Sequence, residues 1–138
     1  MIAEQLAIYL DGLLAELIYD PAGATGNVFV HYMPEKPDTA VAITPYGGVE
    51  PDSGLGYDEY TVQFRVRGDV DPNTADVLIQ KLYYQLEGSE HVVLNDGTRM
   101  ISAIALTPPN SLGEDDLRRF ESVVNFRIEV RAVTAHRV

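Results

Sequence analysis

Two stretches of strict alternation constrain this chain more than any other feature in it. Along residues 59–67, Tyr60, Val62, Phe64 and Val66 fall on one side and Thr61, Gln63, Arg65 and Arg67 on the other. Residues 120–133 repeat the pattern, with Val124, Phe126, Ile128 and Val130 facing one way and Asn125, Arg127, Glu129 and Arg131 the other. A period of two is the period of a strand. A strand that is apolar on one side only belongs to an antiparallel sheet covered on that side and open on the other. The open side then carries Arg65, Arg67, Arg127, Glu129 and Arg131, long polar side chains that suit either solvent or a partner surface.

Two helical patterns supply the cover. Over 2–19, Ile2, Leu6, Tyr9, Leu10, Leu13, Leu14, Leu17 and Ile18 recur at spacings of three and four, with Glu4, Asp11 and Glu16 off the stripe, which predicts an amphipathic helix. Over 68–88, Asp71 reads as the N-cap and Pro72 as the first helical residue. Leu78, Ile79, Leu82, Tyr83 and Leu86 form the buried stripe there, and Gly88 terminates it. Shorter strands are predicted at 28–33, 39–44, 91–94 and 98–106, the last two joined by a turn at Asp96 and Gly97. The order is helix, three strands, helix, hairpin, strand, with no βαβ rhythm and no internal repeat. It predicts one α+β domain over 1–138: an antiparallel sheet with two helices packed on one face and long inter-strand loops.

Two irregular segments interrupt this plan. TPYGGVEPDSGLGYDEY (44–60) interleaves Tyr46, Tyr57 and Tyr60 with Gly47, Gly48, Gly54 and Gly56. Tyrosine supplies contact area and glycine an adaptable backbone, the composition of a docking arm, and loops this long in compact domains are functional or disordered. TPPNSLGEDDLR (107–118) is the second, acidic at its end.

Charge narrows the partners. The net charge is −11, and it is uneven: residues 1–97 hold 16 acidic and 4 basic groups, residues 98–138 hold 5 and 6. Such a surface repels phosphate backbones and anionic membranes and lacks the Lys/Arg contacts that sequence-specific nucleic-acid binding needs. The N-terminal 20 residues begin with acid rather than base, which fits neither a signal peptide nor a membrane span and predicts a cytoplasmic protein.

Motifs for chemistry are missing. There is no cysteine, hence no disulfide, thiolate metal site or cysteine nucleophile. Asp69, Asp71 and Asn73 imitate the start of a calcium loop, but its glycine and glutamate places hold Thr74 and Gln80. His31, His91 and His136 lie far apart in sequence, and no phosphate-binding glycine motif or nucleophile elbow occurs. The pairs Asp115/Asp116 and Glu50/Asp52 lack an apolar lining to perturb them and read as solvated loops. No enzymatic activity, cofactor or metal is expected.

PEKPDTAVAITPYGG (34–48), YTVQFRVRGD (60–69) running into DPNTADVLIQKLYYQLEG (71–88), DGTRMISAIALTPPNSLGEDDLRRFE (96–121) and NFRIEVRA (125–132) together resemble the siphophage minor capsid and tail terminator proteins. These are the small head-to-tail joining subunits of long-tailed bacteriophages, and the resemblance covers nearly the whole chain. It implies a structural, ring-forming subunit, commonly a hexamer, that caps the tail tube and presents a face to the head-side connector or stopper protein. Genomic DNA would pass through without sequence-specific binding. The implied location is the tail or neck of the virion, after assembly in the host cytoplasm. Neighbouring tail completion and head closure proteins share such patterns, and a tail assembly factor absent from the virion is a further alternative. Both irregular segments become contacts with neighbouring subunits or adjoining rings. The candidate contact residues are Tyr46, Gly47, Gly48, Glu50, Asp52 and Tyr57 in the first and Leu112, Glu114, Asp115 and Asp116 in the second. Arg65, Arg67, Arg127 and Arg131 are the candidates on the open sheet face.

Overall fold

The computed structural model describes residues 1–52 and 54–137. The chain runs α1 (Ile2–Leu13), β1 (Val28–Val30), β2 (Ala40–Gly48), β3 (Tyr57–Arg67), α2 (Pro72–Leu86), β4 (Ser89–Val93), β5 (Arg99–Ala105), β6 (Asn110–Glu114) and β7 (Phe120–Arg131). All seven strands form one sheet in the order β1-β2-β3-β7-β5-β4, with β6 also paired to β7. Every pairing is antiparallel except the short β1–β2 pair, which is parallel. The fold is α+β, as the alternation requires. Neither described helix is long and apolar enough to cross a membrane.

The two alternating strands sit at the centre, in register from Tyr57 opposite Arg131 to Arg67 opposite Glu121. Val62, Phe64, Val66, Val124, Phe126 and Ile128 are fully buried beneath the helices. Phe64 and Phe126 meet edge to face with centroids 5.6 Å apart, a geometry that adds to simple burial. From α2, Ala75, Leu78, Ile79, Leu82 and Leu86 enter this core, and from α1, Ala3, Leu6, Ala7 and Leu10. Asp71 caps α2 by accepting from the Asn73 N–H at 2.9 Å, and Gly88 follows its end at φ 79°.

Helix α1 is shorter than the 2–19 periodicity predicts. Leu14 is already extended, its N–H closing the helix on the Leu10 carbonyl. Leu14 and Leu17 are still buried, but from a turn, while Ile18 is exposed and Tyr19 makes a bridge to Val28. Apolar spacing of three and four records which side chains go inside, not the backbone that takes them there. Asn27 holds this turn, accepting from Ile18 N–H and donating to the Glu16 carbonyl, both at 2.8 Å.

The segment 107–118 is not an irregular loop. Asn110–Glu114 pairs with the first residues of β7, while β5 pairs with its last six. Thus β5 and β6 run the same way along one edge of β7, two pieces of a strand broken at Thr107-Pro108-Pro109. Proline has no N–H to give a ladder, and pairing resumes past it. A bulge between Ser111 and Gly113, with Gly113 at φ 84°, disguises β6 further. The first segment is likewise shorter than expected, because β2 runs on through Tyr46 to Gly48 and β3 starts at Tyr57.

Arg67 departs from the expectation of an outward, partner-facing side chain. Only 4% exposed, it donates from Nη2 to the carbonyls of Pro34 (2.7 Å), Pro37 (2.7 Å) and Glu35 (3.3 Å) and from Nε to that of Asp38 (2.9 Å). The 34–38 turn therefore folds over the end of the open face. Burial, then the nearby Arg119 charge, lowers the proton affinity of Arg67, while Asp115, Glu121 and Asp38 oppose this. Arg119, 6% exposed, joins the same turn through the Glu35 carbonyl and Asp38. Removing Arg67 takes the donor from four carbonyls at once, and a hydrogen bond to a charged group is worth roughly 1.5–3 kcal/mol. Arg67→Met is expected to lower stability by about 3 kcal/mol or more in urea denaturation. Arg67→Lys is expected to recover little, since one ammonium cannot reproduce the planar fork; full recovery by lysine would contradict this account.

Candidate functional site

The sequence-derived contact residues do not converge on one site. They separate into the β2–β3 turn, the β6–β7 turn and the open face between them. Tyr57 at the start of β3 pairs with Arg131, and Arg67 at its end with Glu121, so the two turns lie at opposite ends of a sheet about 35 Å long.

The β2–β3 turn is built around Asp52. Its carboxylate accepts from Leu55 N–H at 3.1 Å, its carbonyl accepts from Gly56 and Tyr57, and its N–H donates to the Tyr57 carbonyl. Asp52 is thus committed to the turn, and position 53 lies outside the described residues. Glycine is not present here only for adaptability: a Cβ on Gly48 would lie 2.1 Å from the Glu59 carbonyl oxygen, a contact the strand pairing imposes. The turn is also tied down from behind. Ala132 N–H reaches the Gly56 carbonyl at 3.1 Å, Arg131 Nε reaches that of Leu55 at 3.1 Å, and Arg137 grips Asp58 with two bonds of 2.7 and 2.8 Å. A free docking arm is therefore replaced by a braced knob. Tyr46, Val49, Glu50 and Leu55 remain on its surface, the three apolar ones more than half exposed.

At the other end, Asp115 is a structural residue of the β6–β7 turn. It accepts from the N–H groups of Leu117 (3.0 Å) and Arg119 (2.9 Å) and from Arg119 Nε (2.9 Å). Leu112, Leu117, Glu114 and Asp116 are exposed, with Glu114 3.6 Å from Arg118. Arg119 was not singled out from sequence; nothing in LRRF distinguishes the buried arginine from the exposed Arg118.

On the open face Arg65 pairs with Glu121 at 3.5 Å and Arg127 with Glu59 at 3.1 Å. Arg65 stands in register between Ala42 and Val123, both buried although no helix covers them. Among the described residues no three His, Asp or Glu side chains are grouped to hold a metal ion.

Four carboxylates are held below their ordinary range. For Asp58 the cause is the hydrogen-bonded Arg137; for Asp20, the N–H groups of Thr25 and Ala22; for Asp96, the N–H of Thr98. For Asp115, burial pushes upward but the Arg119 N–H and guanidinium and the Leu117 N–H outweigh it. The unfolded chain regains ordinary values near 4, so it binds more protons than the native state as pH falls past that point. Their contribution is complete above about pH 5 and is lost as pH drops through the native values. Thermal midpoints are expected to fall steadily below about pH 4, and Asp58→Asn is expected to start lower at neutral pH with a shallower acid slope. An unchanged slope would remove Asp58 from the explanation.

No curated protein matches the chain. A family model described as "Bacteriophage tail terminator protein" matches residues 9–131, from within α1 to the last residue of β7, and so includes both turns and the whole open face. Matched over most of its length by that model, the chain belongs to the bacteriophage tail terminator protein family.

Proposed function

We propose that this chain is the ring-forming subunit, commonly six to a ring, that caps the tail tube of a long-tailed bacteriophage and joins it to the head-side connector. The family supports a structural role. The observation that carries the rest is the separation of two exposed turns. Tyr46, Val49 and Leu55 cluster by sequence at one end of the sheet, Leu112 and Leu117 at the other. A subunit between two different neighbours needs two contact ends on a rigid spacer, and exposed apolar side chains in a polar rim are what such contacts use. One end meets the tube and the other the connector.

The helix side faces the DNA path in this reading. Lys81 is the only cation on either helix, against Glu4, Asp11 and Asp76 on them and Glu16, Asp71 and Glu87 at their ends. A polyanion slides past such a surface without counterion-releasing contacts to break. A ring structure with the arginines of the sheet lining the lumen would overturn this part.

The test is electron microscopy of particles assembled without the protein. Overlong or irregular tails are expected; tails of uniform length that fail to join heads would move the subunit to the connector side, and normal infectious particles would refute the role. Val49→Asp and Leu117→Asp, at the two ends, are expected to fail at different steps, one in tube termination and one in head joining. Identical defects would argue against two separate contact ends.

A further inference from the structure

Besides its two ends and two faces the sheet has two flanks, and each carries an apolar feature left open to solvent. On one flank the last residue of β5 covered by β4 is Ala103, opposite Ser89. Leu106 still reaches β7, its N–H donating to the Asn125 carbonyl, and register resumes at Asn110 opposite Val123. Residues 107–109 therefore stand against Val124 alone and arch away from β7. Leu106 and Pro108 are exposed on this arch. Of the chain's 21 acidic and ten basic residues, none lies between Met100 and Gly113. Prolines alone would blunt this edge, but natural edges are blunted with charge as well, and here there is none. On a chain of net charge −11, an uncharged flank is a surface that identical copies approach with little repulsion.

The other flank holds a cavity of about 410 Å³ beside α2, lined mainly by apolar surface around Val77, Leu78, Thr39 and Thr74. Its one cation, Lys81, is neutralised by Glu16 at 3.0 Å. Val77 is half exposed there, although a β-branched residue lowers helix propensity and gains little without burial. The cavity and the arch stand level along the sheet. Asp76, next to Val77, accepts from Ser122 Oγ at 3.2 Å, which sets this turn of α2 two residues from Val124. They lie on opposite flanks: Thr39 borders the cavity at the start of β2, whereas the arch lies beyond β7 in the order β1-β2-β3-β7.

We infer that the 106–109 arch of one copy seats in the cavity beside Val77 of the next, Leu106 and Pro108 against Val77 and Leu78. Two different patches meet, so the contact is heterologous and repeats head to tail, closing as a ring rather than at two. The prolines suit the arch to this use. They fix its backbone and carry no N–H that burial would leave without a partner. Because arch and cavity are level, successive copies stand side by side with their strands aligned. All β2–β3 turns then face one side of the ring and all β6–β7 turns the other, while both sheet faces stay clear of the contact. This is the lateral contact of the ring proposed above, and it rests on that reading.

The chain has no cysteine, so introduced ones report the contact directly. Particles are assembled with the full-length Val77→Cys/Pro108→Cys variant in place of the natural chain, oxidised, and resolved on non-reducing gels. A ladder in steps of 15.2 kDa is expected. A disulfide needs Cα atoms within about 7 Å, and the two positions of one copy lie on opposite flanks, so each link joins two copies. Either single variant alone is expected to stay at the monomer, and the two single variants assembled together are expected to give dimers and nothing larger. Thr107→Cys in place of Pro108→Cys, which keeps both prolines, is expected to give the same ladder. An incorporated double variant without a ladder, a ladder that ends at two, or dimers from a single variant alone would overturn this contact and leave the tail role standing. Normal infectious particles without the chain would refute the role itself, and the contact with it.

Discussion

The guanidinium of Arg67 is the contact on which one whole end of the sheet depends. Four carbonyls of the 34–38 turn have no strand to pair with and accept from this guanidinium instead. A single planar side chain with several donors satisfies them together. Arg119, anchored to Asp115, reaches the same turn, so the β6–β7 turn and the 34–38 turn are fixed by one network. Beside it, Gly68 N–H reaches the Phe120 carbonyl and Phe120 N–H that of Asp69. The start of β7 and the lead into α2 are positioned by the same arrangement.

The opposite end is secured by different means. Asp52 organises the β2–β3 turn from within, and the segment after β7 braces it through Ala132 and Arg137. Residues after β7 therefore hold the β2–β3 turn in place. Both exposed turns of this tail terminator family member are rigid projections of one sheet. Rigidity at both ends suits the spacer role proposed above, because contacts made by preordered surfaces lose less conformational entropy than contacts made by loose arms.

The helix side and the open face then divide the remaining surface by chemistry. Helices contribute apolar cover inward and carry three acids against one lysine, whereas the open face interleaves arginine with glutamate. That division arises from alternation: every second residue of β3 and β7 is committed to the core, and the intervening positions are free to carry charge of either sign.

Much of the fold was legible because it rests on local patterns. Tyr60 to Val66 and Val124 to Val130 identified the central strands and their covered side, and Asp71-Pro72 with Gly88 bounded α2, since periodicity and capping act over a few residues. Sequence by itself also determined the acid excess and the absence of cysteine chemistry. Only the tertiary structure decided which members of a repeated type were buried, Arg67 rather than Arg65 and Arg119 rather than Arg118, and that Asp115 rather than Asp116 holds the β6–β7 turn. It also decided that 107–118 contains a strand, that α1 stops at Leu13, and that the two candidate turns lie at opposite ends of the sheet. The physical reason is the same in each case. Burial of a polar group, and pairing of a broken or bulged strand, are set by partners far away in the chain, and nothing in the neighbouring residues encodes how those partners are brought together.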